Sequence, residues 1–145
     1  MIKTIRTQRP KRLRRSGAEQ NPGLRRRDVK AALASMPPRR RYLFVCNNRR
    51  ADDHPKRCCT ARGAEEIHRA LKTELKGRGL AALQARVCTA SCLDQCTAGP
   101  TILFEPDHFF YGRVTLADVP EIVNGLATGE RVERLVLTPE DLAAG

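Results

Sequence analysis

Tyr42-Leu43-Phe44-Val45-Cys46-Asn47-Asn48-Arg49-Arg50 is the stretch that decides the fold: five apolar residues in a row, closed by a polar and cationic turn. A short apolar run without alternation marks a buried central strand. Downstream of a polar loop, Ala64, Ile67, Ala70, Leu71 and Leu75 recur at intervals that keep them on one helical face, with Glu65 and Glu66 in the first turn and Gly77 and Gly79 past the end. The spacing predicts an amphipathic helix over 60–76. Residues 82–87 read as a second strand, and a tight loop then carries Cys88, Cys92 and Cys96 into Gly99-Pro100. Residues 101–105 and 109–114 read as two strands joined in a hairpin at Pro106-Asp107-His108. Thr115, with Asp118 three positions on, forms a capping pattern for a second helix that contains Leu116, Val119, Ile122, Val123 and Leu126 and stops at Gly129. Residues 131–137 carry enough Val and Leu to pack back on the body, and residues 138–145 are expected to fray.

The order strand, helix, strand, strand, strand, helix requires a parallel crossover followed by a hairpin, hence a mixed α/β sheet with helices packed on it. That is the layout of a thioredoxin-like domain, here placed at residues 41–137. The 145-residue chain has 27 basic against 16 acidic side chains, but residues 1–41 alone hold 14 basic and 2 acidic ones. The positive excess therefore belongs to residues 1–40, which are rich in Arg and Pro, poor in large apolar side chains, and expected to be a disordered tail. Phosphate or nucleic-acid binding is a reading open to that tail alone, and a plain solvated tail is the stronger one. A start at Met36 would remove most of the charge. No apolar run approaches the ~20 residues needed to cross a bilayer, and no stretch has the apolar core of a secretory signal. The expectation is a soluble cytoplasmic protein without membrane partners.

In reducing surroundings, closely spaced cysteines read first as metal or cluster ligands, second as a redox thiol pair and last as disulfides. Cys46 closes the first strand, Cys58 and Cys59 precede the first helix, and Cys88, Cys92 and Cys96 share the loop after the second strand. These loops converge at one end of a thioredoxin-like sheet. Zinc knuckles of the C-x2-C type are absent, and the adjacent Cys58 and Cys59 do not make a C-x-x-C dithiol. Four thiolates from two loops suit a [2Fe-2S] cluster, whose irons each take two cysteine sulfurs. His54, His68 and His108 share no motif and are explained by surface or turn positions. No phosphate loop, Ser-His-Asp set or carboxylate pair stands out, so no catalytic residue and no enzymatic activity are expected.

Phe44-Val45-Cys46-Asn47, His54-Pro55, Cys59-Thr60-Ala61-Arg62-Gly63, Cys92-Leu93-Asp94-Gln95-Cys96-Thr97-Ala98-Gly99-Pro100, Phe110-Tyr111-Gly112-Arg113-Val114 and Asp118-Val119-Pro120-Glu121-Ile122-Val123 together resemble the thioredoxin-like [2Fe-2S] ferredoxins, also called Shethna-type ferredoxins. The family pattern, C-x12-C followed by C-x3-C, maps onto Cys46, Cys59, Cys92 and Cys96. The resemblance implies a one-electron carrier, commonly a homodimer, that holds a [2Fe-2S] cluster near its surface and serves redox partner proteins. Cys58 and Cys88 lie outside the pattern, and Cys58 is a candidate substitute for its neighbour Cys59. The alternative from another class is a zinc- or thiol-based interaction module whose basic arm binds nucleic acid.

Overall fold

The computed structural model describes residues 39–144 together with Ala34; the rest of the expected basic tail lies outside the described residues. A four-stranded sheet forms from β1 (Arg41–Cys46), β2 (Ala85–Ala90), β3 (Ile102–Glu105) and β4 (Phe109–Tyr111), in the spatial order β2-β1-β3-β4. β1 runs parallel to β2 and antiparallel to β3, which in turn pairs antiparallel with β4. The long helices are α1 (Ala64–Gly77) and α2 (Val119–Thr128), which pack against one another. This is the mixed sheet with flanking helices expected of a thioredoxin-like domain.

Alternation along the strands sorts the core. Leu43 and Val45 of β1, Val87 of β2, Ile102 and Phe104 of β3 and Tyr111 of β4 are buried together with Ile67, Leu71 and Leu75 of α1 and Ile122, Val123 and Leu126 of α2. The residues between them, Tyr42, Phe44, Leu103 and Phe110, point to the opposite face and remain half-buried. The strand expected to be central does lie inside the sheet, with one face fully buried and the other half-buried.

Other boundaries move for local reasons. The helix expected from Thr60 starts at Ala64, because Gly63 adopts a left-handed conformation (φ 90°) that separates a 3-10 turn at Thr60–Arg62 from α1. β2 begins at Ala85, since Leu80 accepts the amides of Gln84 and Ala85 and holds the preceding alanine-rich segment in a turn. Cys88 consequently lies within β2, opposite Phe44, and outside the cysteine loop. The end expected to fray instead forms α3 (Pro139–Ala143), with Asp141 accepting from the amide and hydroxyl of Thr138. Residues 131–137 do return to the sheet, where Gly112 donates to the Leu135 carbonyl and Leu137 to that of Phe110.

Asp118 anchors the entry to α2. Its carboxylate is almost wholly buried and accepts from the Thr115 amide at 2.7 Å, the Thr115 hydroxyl at 2.8 Å and Arg134 at 2.7 Å. Burial alone would raise its pKa, but the Thr115 and Arg134 donors outweigh it and hold the group below the usual carboxylate range. A depressed carboxylate stabilises the fold above the unfolded-state pKa of about 3.9 and loses that contribution as pH falls through the lower folded value. Asp118→Ala is expected to cost ~1–3 kcal/mol at pH 7 by chemical denaturation. The gap to the unaltered protein should narrow as pH falls below about 4 toward the lower folded value, because the unfolded chain takes up the proton first.

Candidate metal centre

The topology places both cysteine-bearing loops at one end of the sheet. Cys46 is the last residue of β1, and its amide donates to the carbonyl of Thr101 just before β3, while Asn47 donates to that of Ala90 at the end of β2. The loop after β1 returns through Cys59, which is locked by Arg62 and Ala64 amides donating to its carbonyl. The loop after β2 carries Cys92 and Cys96, and a 3-10 turn at Cys96–Ala98 leads into Gly99 and Pro100, whose peptide bond is cis.

The sulfurs fall into two pairs. Cys46 and Cys59 are each 1% exposed, and their side chains are hydrogen-bonded to one another. The Cys59 thiol donates and the Cys46 sulfur takes the charge: with that bond, the Asn48 and Leu93 amides and the Arg50 cation acting against burial, the Cys46 pKa falls to about 6. Cys59 moves the other way, raised by the same bond and by burial. The second pair, Cys92 and Cys96, has its sulfurs 3.6 Å apart, and Cys92 also accepts the Asp94 amide at 3.4 Å. Burial and the neighbouring Cys92 push the Cys96 thiol up, while Arg50 opposes them.

The two loops touch. Leu93 of one reaches Cys46 of the other, and a methyl group placed on Gly99 would lie 2.7 Å from the Cys59 sulfur and 3.4 Å from the Cys96 carbonyl. Arg62 fixes this juncture by donating to the carbonyls of Cys96 (3.1 Å), Thr97 (3.3 Å) and Gly99 (2.9 Å). Its guanidinium therefore shapes the loop, which a solvated first-turn side chain would not do. Arg50 reaches over the second pair, 3.6 Å from the Cys92 sulfur and 3.5 Å from that of Cys96. The far side of this loop is braced by α3, where Gln95 donates to the Leu142 carbonyl and Thr97 to that of Ala144, each at 3.4 Å.

The remaining cysteines are set apart. Cys58 is buried with its sulfur facing the amides of Arg50 and Ala61, which lower its pKa. Cys88 sits in β2. Arg50 and His54 belong to the site although the sequence pattern placed the first in a bounding turn and the second among ordinary turn residues. Their sole sequence signal was the cationic and His-Pro composition of the loop between Cys46 and Cys59.

Four cysteines can hold either a single metal ion or a cluster, and their arrangement distinguishes the two. Among the described residues, no group of three or more His, Cys, Asp or Glu side chains could hold a single metal ion. Two separated thiol pairs instead match a sulfide-bridged two-iron group, in which each iron takes two cysteines. The cationic donor at one pair and the backbone amides at the other offset the negative charge such a group brings. Arg50 Nε, buried and without a hydrogen-bond partner among the described residues, is a further donor that the chain itself leaves unused.

No protein-family model matches the chain. Over 99 residues it is 33% identical to a 2Fe-2S ferredoxin of Aquifex aeolicus, an alignment that takes in 68% of this chain and 89% of that protein. Over 95 residues it is 33% identical to a 2Fe-2S ferredoxin of Clostridium pasteurianum, covering 65% of this chain and 92% of that one. Its structure matches the crystal structure of the wild-type thioredoxin-like [2Fe-2S] ferredoxin from Aquifex aeolicus with a TM-score of 0.65 at 34% sequence identity, over 68% of this chain and 96% of that one.

The close approach at Gly99 yields a test that needs no metal. Gly99→Ala must displace the Cys59 sulfur or the Cys96–Gly99 turn, at a cost of ~1–3 kcal/mol as for other overpacked interiors. Alkylation of Cys59 in the metal-free protein should accelerate while the far-UV circular dichroism stays unchanged. An unaltered alkylation rate would show that the turn yields freely.

Proposed function

The chain belongs to the thioredoxin-like [2Fe-2S] ferredoxin family, and from that premise we propose that Cys46, Cys59, Cys92 and Cys96 hold a [2Fe-2S] cluster through which the protein passes single electrons between redox partner proteins. As a ferredoxin it is an electron carrier and not an enzyme. When bound, the cluster supplies the one-electron chemistry, changing from about −2 to about −3 in charge with its four thiolates.

The observation that carries the ligand assignment is the sorting of these four sulfurs into two pairs on two touching loops. The chain's part is to present thiolates and to compensate their charge. The amides of Asn48 and Leu93 favour the charged form of Cys46 before any metal arrives, which lowers the cost of deprotonation on loading. Arg62 and Gly99 keep the Cys96 turn pressed against Cys59. Cys58 points its sulfur at backbone amides and does not share the Cys46 pairing, which favours Cys59 as the ligand. All six cysteines are free, as suits a reducing compartment, and we place the protein in the cytoplasm. No helix among the described residues is long and apolar enough to cross a membrane.

A homodimer is the second part of the proposal. Tyr42, Phe44, Leu103 and Phe110 form a half-buried apolar row on the sheet face away from α1 and α2, and a second copy is its proposed occupant. Nucleic-acid binding rests on basic residues outside the described part, and no observation favours it.

Protein purified without oxygen should show broad visible bands and contain about two irons and two acid-labile sulfides per chain. A colourless protein with zinc would contradict the reading. Replacing Cys46, Cys59, Cys92 or Cys96 by Ser should lower cluster content or shift its spectrum, because a serine oxygen is a harder and poorer ligand for this iron. Cys58→Ala and Cys88→Ala should retain full content. Cluster lost in Cys58→Ala and kept in Cys59→Ser would move that ligand by one residue. In sedimentation the unaltered chain should be dimeric and Phe110→Asp monomeric, with the cluster retained; a monomeric parent would remove the dimer.

A further inference from the structure

Arg50 is placed unlike the other cations of the site. Arg62 spends its guanidinium on carbonyl oxygens, whereas Arg50 Nη2 donates to the sulfurs of both Cys92 and Cys96. Its Nη1 lies 3.2 Å from Nε2 of His54. A guanidinium has donors only, so the His54 Nε2 facing it accepts. On the other side of the ring, Nδ1 lies 3.0 Å from the Lys56 carbonyl oxygen and 3.1 Å from the Lys56 amide nitrogen, so the Lys56 backbone holds the ring in place. The Lys56 backbone, the His54 ring and the Arg50 fork thus form one relay that ends on the sulfur pair. Arg50 is half-buried and its neighbour Arg49 is exposed, so the bonds to sulfur are partly shielded from water.

We propose that Arg50, held in place by His54, is the residue that sets the reduction potential of the centre, through its paired N–H bonds to the Cys92 and Cys96 sulfurs. The inference rests on the cluster assignment above and adds to it a specific tuning group. Hydrogen bonds to the ligand sulfurs and local positive charge both favour the more negative, reduced state and raise the potential. In one turnover a single electron enters from a one-electron donor protein and leaves to a one-electron acceptor protein. No bond is made or broken and no proton moves, since the guanidinium stays protonated throughout. Arg50 is therefore a fixed charge with directed donors, and His54 is a positioning residue that acts through it.

Anaerobic redox titration of the cluster-loaded full chain, followed by visible absorption, tests this in Arg50→Lys, Arg50→Gln, His54→Phe and, as a control, Arg49→Gln. Arg50→Gln should lower the potential so that the reduced-to-oxidised ratio at fixed ambient potential drops at least tenfold, about 59 mV for one electron. Arg50→Lys keeps the charge without the fork and should fall between Arg50→Gln and the parent, as should His54→Phe. Arg49→Gln should shift it least. Iron and sulfide content, measured on the same samples, separates the two claims: a parent without cluster sinks the functional assignment, while a loaded Arg50→Gln protein at the parental potential overturns the role of Arg50 alone. An equal shift in Arg49→Gln would overturn it too, by showing that general surface charge suffices. Should Arg50→Gln fail to load, Arg50→Lys and His54→Phe decide, and parental potentials in both would refute the proposal.

Discussion

Four cysteine sulfurs cannot share one end of a small domain as thiolates unless their mutual repulsion and lost hydration are offset locally. The whole site answers that constraint. At the first pair the charge of the metal-free chain rests on Cys46, which the Cys59 thiol and the amides of Asn48 and Leu93 favour while it stays nearly fully buried. At the second the offset is made by a side chain, since Arg50 faces both sulfurs of a pair that includes the exposed Cys92. The division follows exposure. Amides fixed by the ends of β1 and β2 serve the dry pair, and a cation reaching in from a loop serves the wetter one.

The sheet makes this arrangement available. Because β1 is central, parallel to β2 and antiparallel to β3, the chain leaves β1 and β2 at the same end at which it enters β3. The two cysteine loops are therefore neighbours before any side-chain contact is made. Arg62, Gly99 and the buried Thr101, whose hydroxyl lies 3.9 Å from the Cys59 sulfur, then fix how the loops meet. The helix pair closes the core from one side and leaves the other sheet face half-covered, so the stability of the scaffold and the chemistry at its end are borne by different residues.

What was legible in the sequence is what repeats or punctuates. The period of Ile67, Leu71 and Leu75, the Gly129 stop and the Thr115–Asp118 pair marked both long helices, and the spacing of Cys46, Cys59, Cys92 and Cys96 picked out four cysteines that the structure gathers on two touching loops. The start of β2 was not legible, because Ala81, Ala82 and Ala85 suit a turn as well as a strand and only the Leu80 carbonyl decides between them. α3 was missed although Thr138 and Asp141 form a capping pair, since its five residues carry no apolar period. The roles of Arg50 and Arg62 depend on contacts across 34 to 46 positions of sequence, and that of His54 on the Arg50 it holds, none of which leaves a local pattern.

The central claim is that paired thiolates on two touching loops make this domain a one-electron carrier. It is tested most directly by coulometric titration of anaerobically purified protein with simultaneous visible and paramagnetic-resonance detection. The account predicts reversible uptake of about one electron per cluster, with bleaching of the visible bands and a paramagnetic signal from the reduced state. Uptake of electrons in pairs by a colourless protein, as a dithiol–disulfide couple would give, would contradict it.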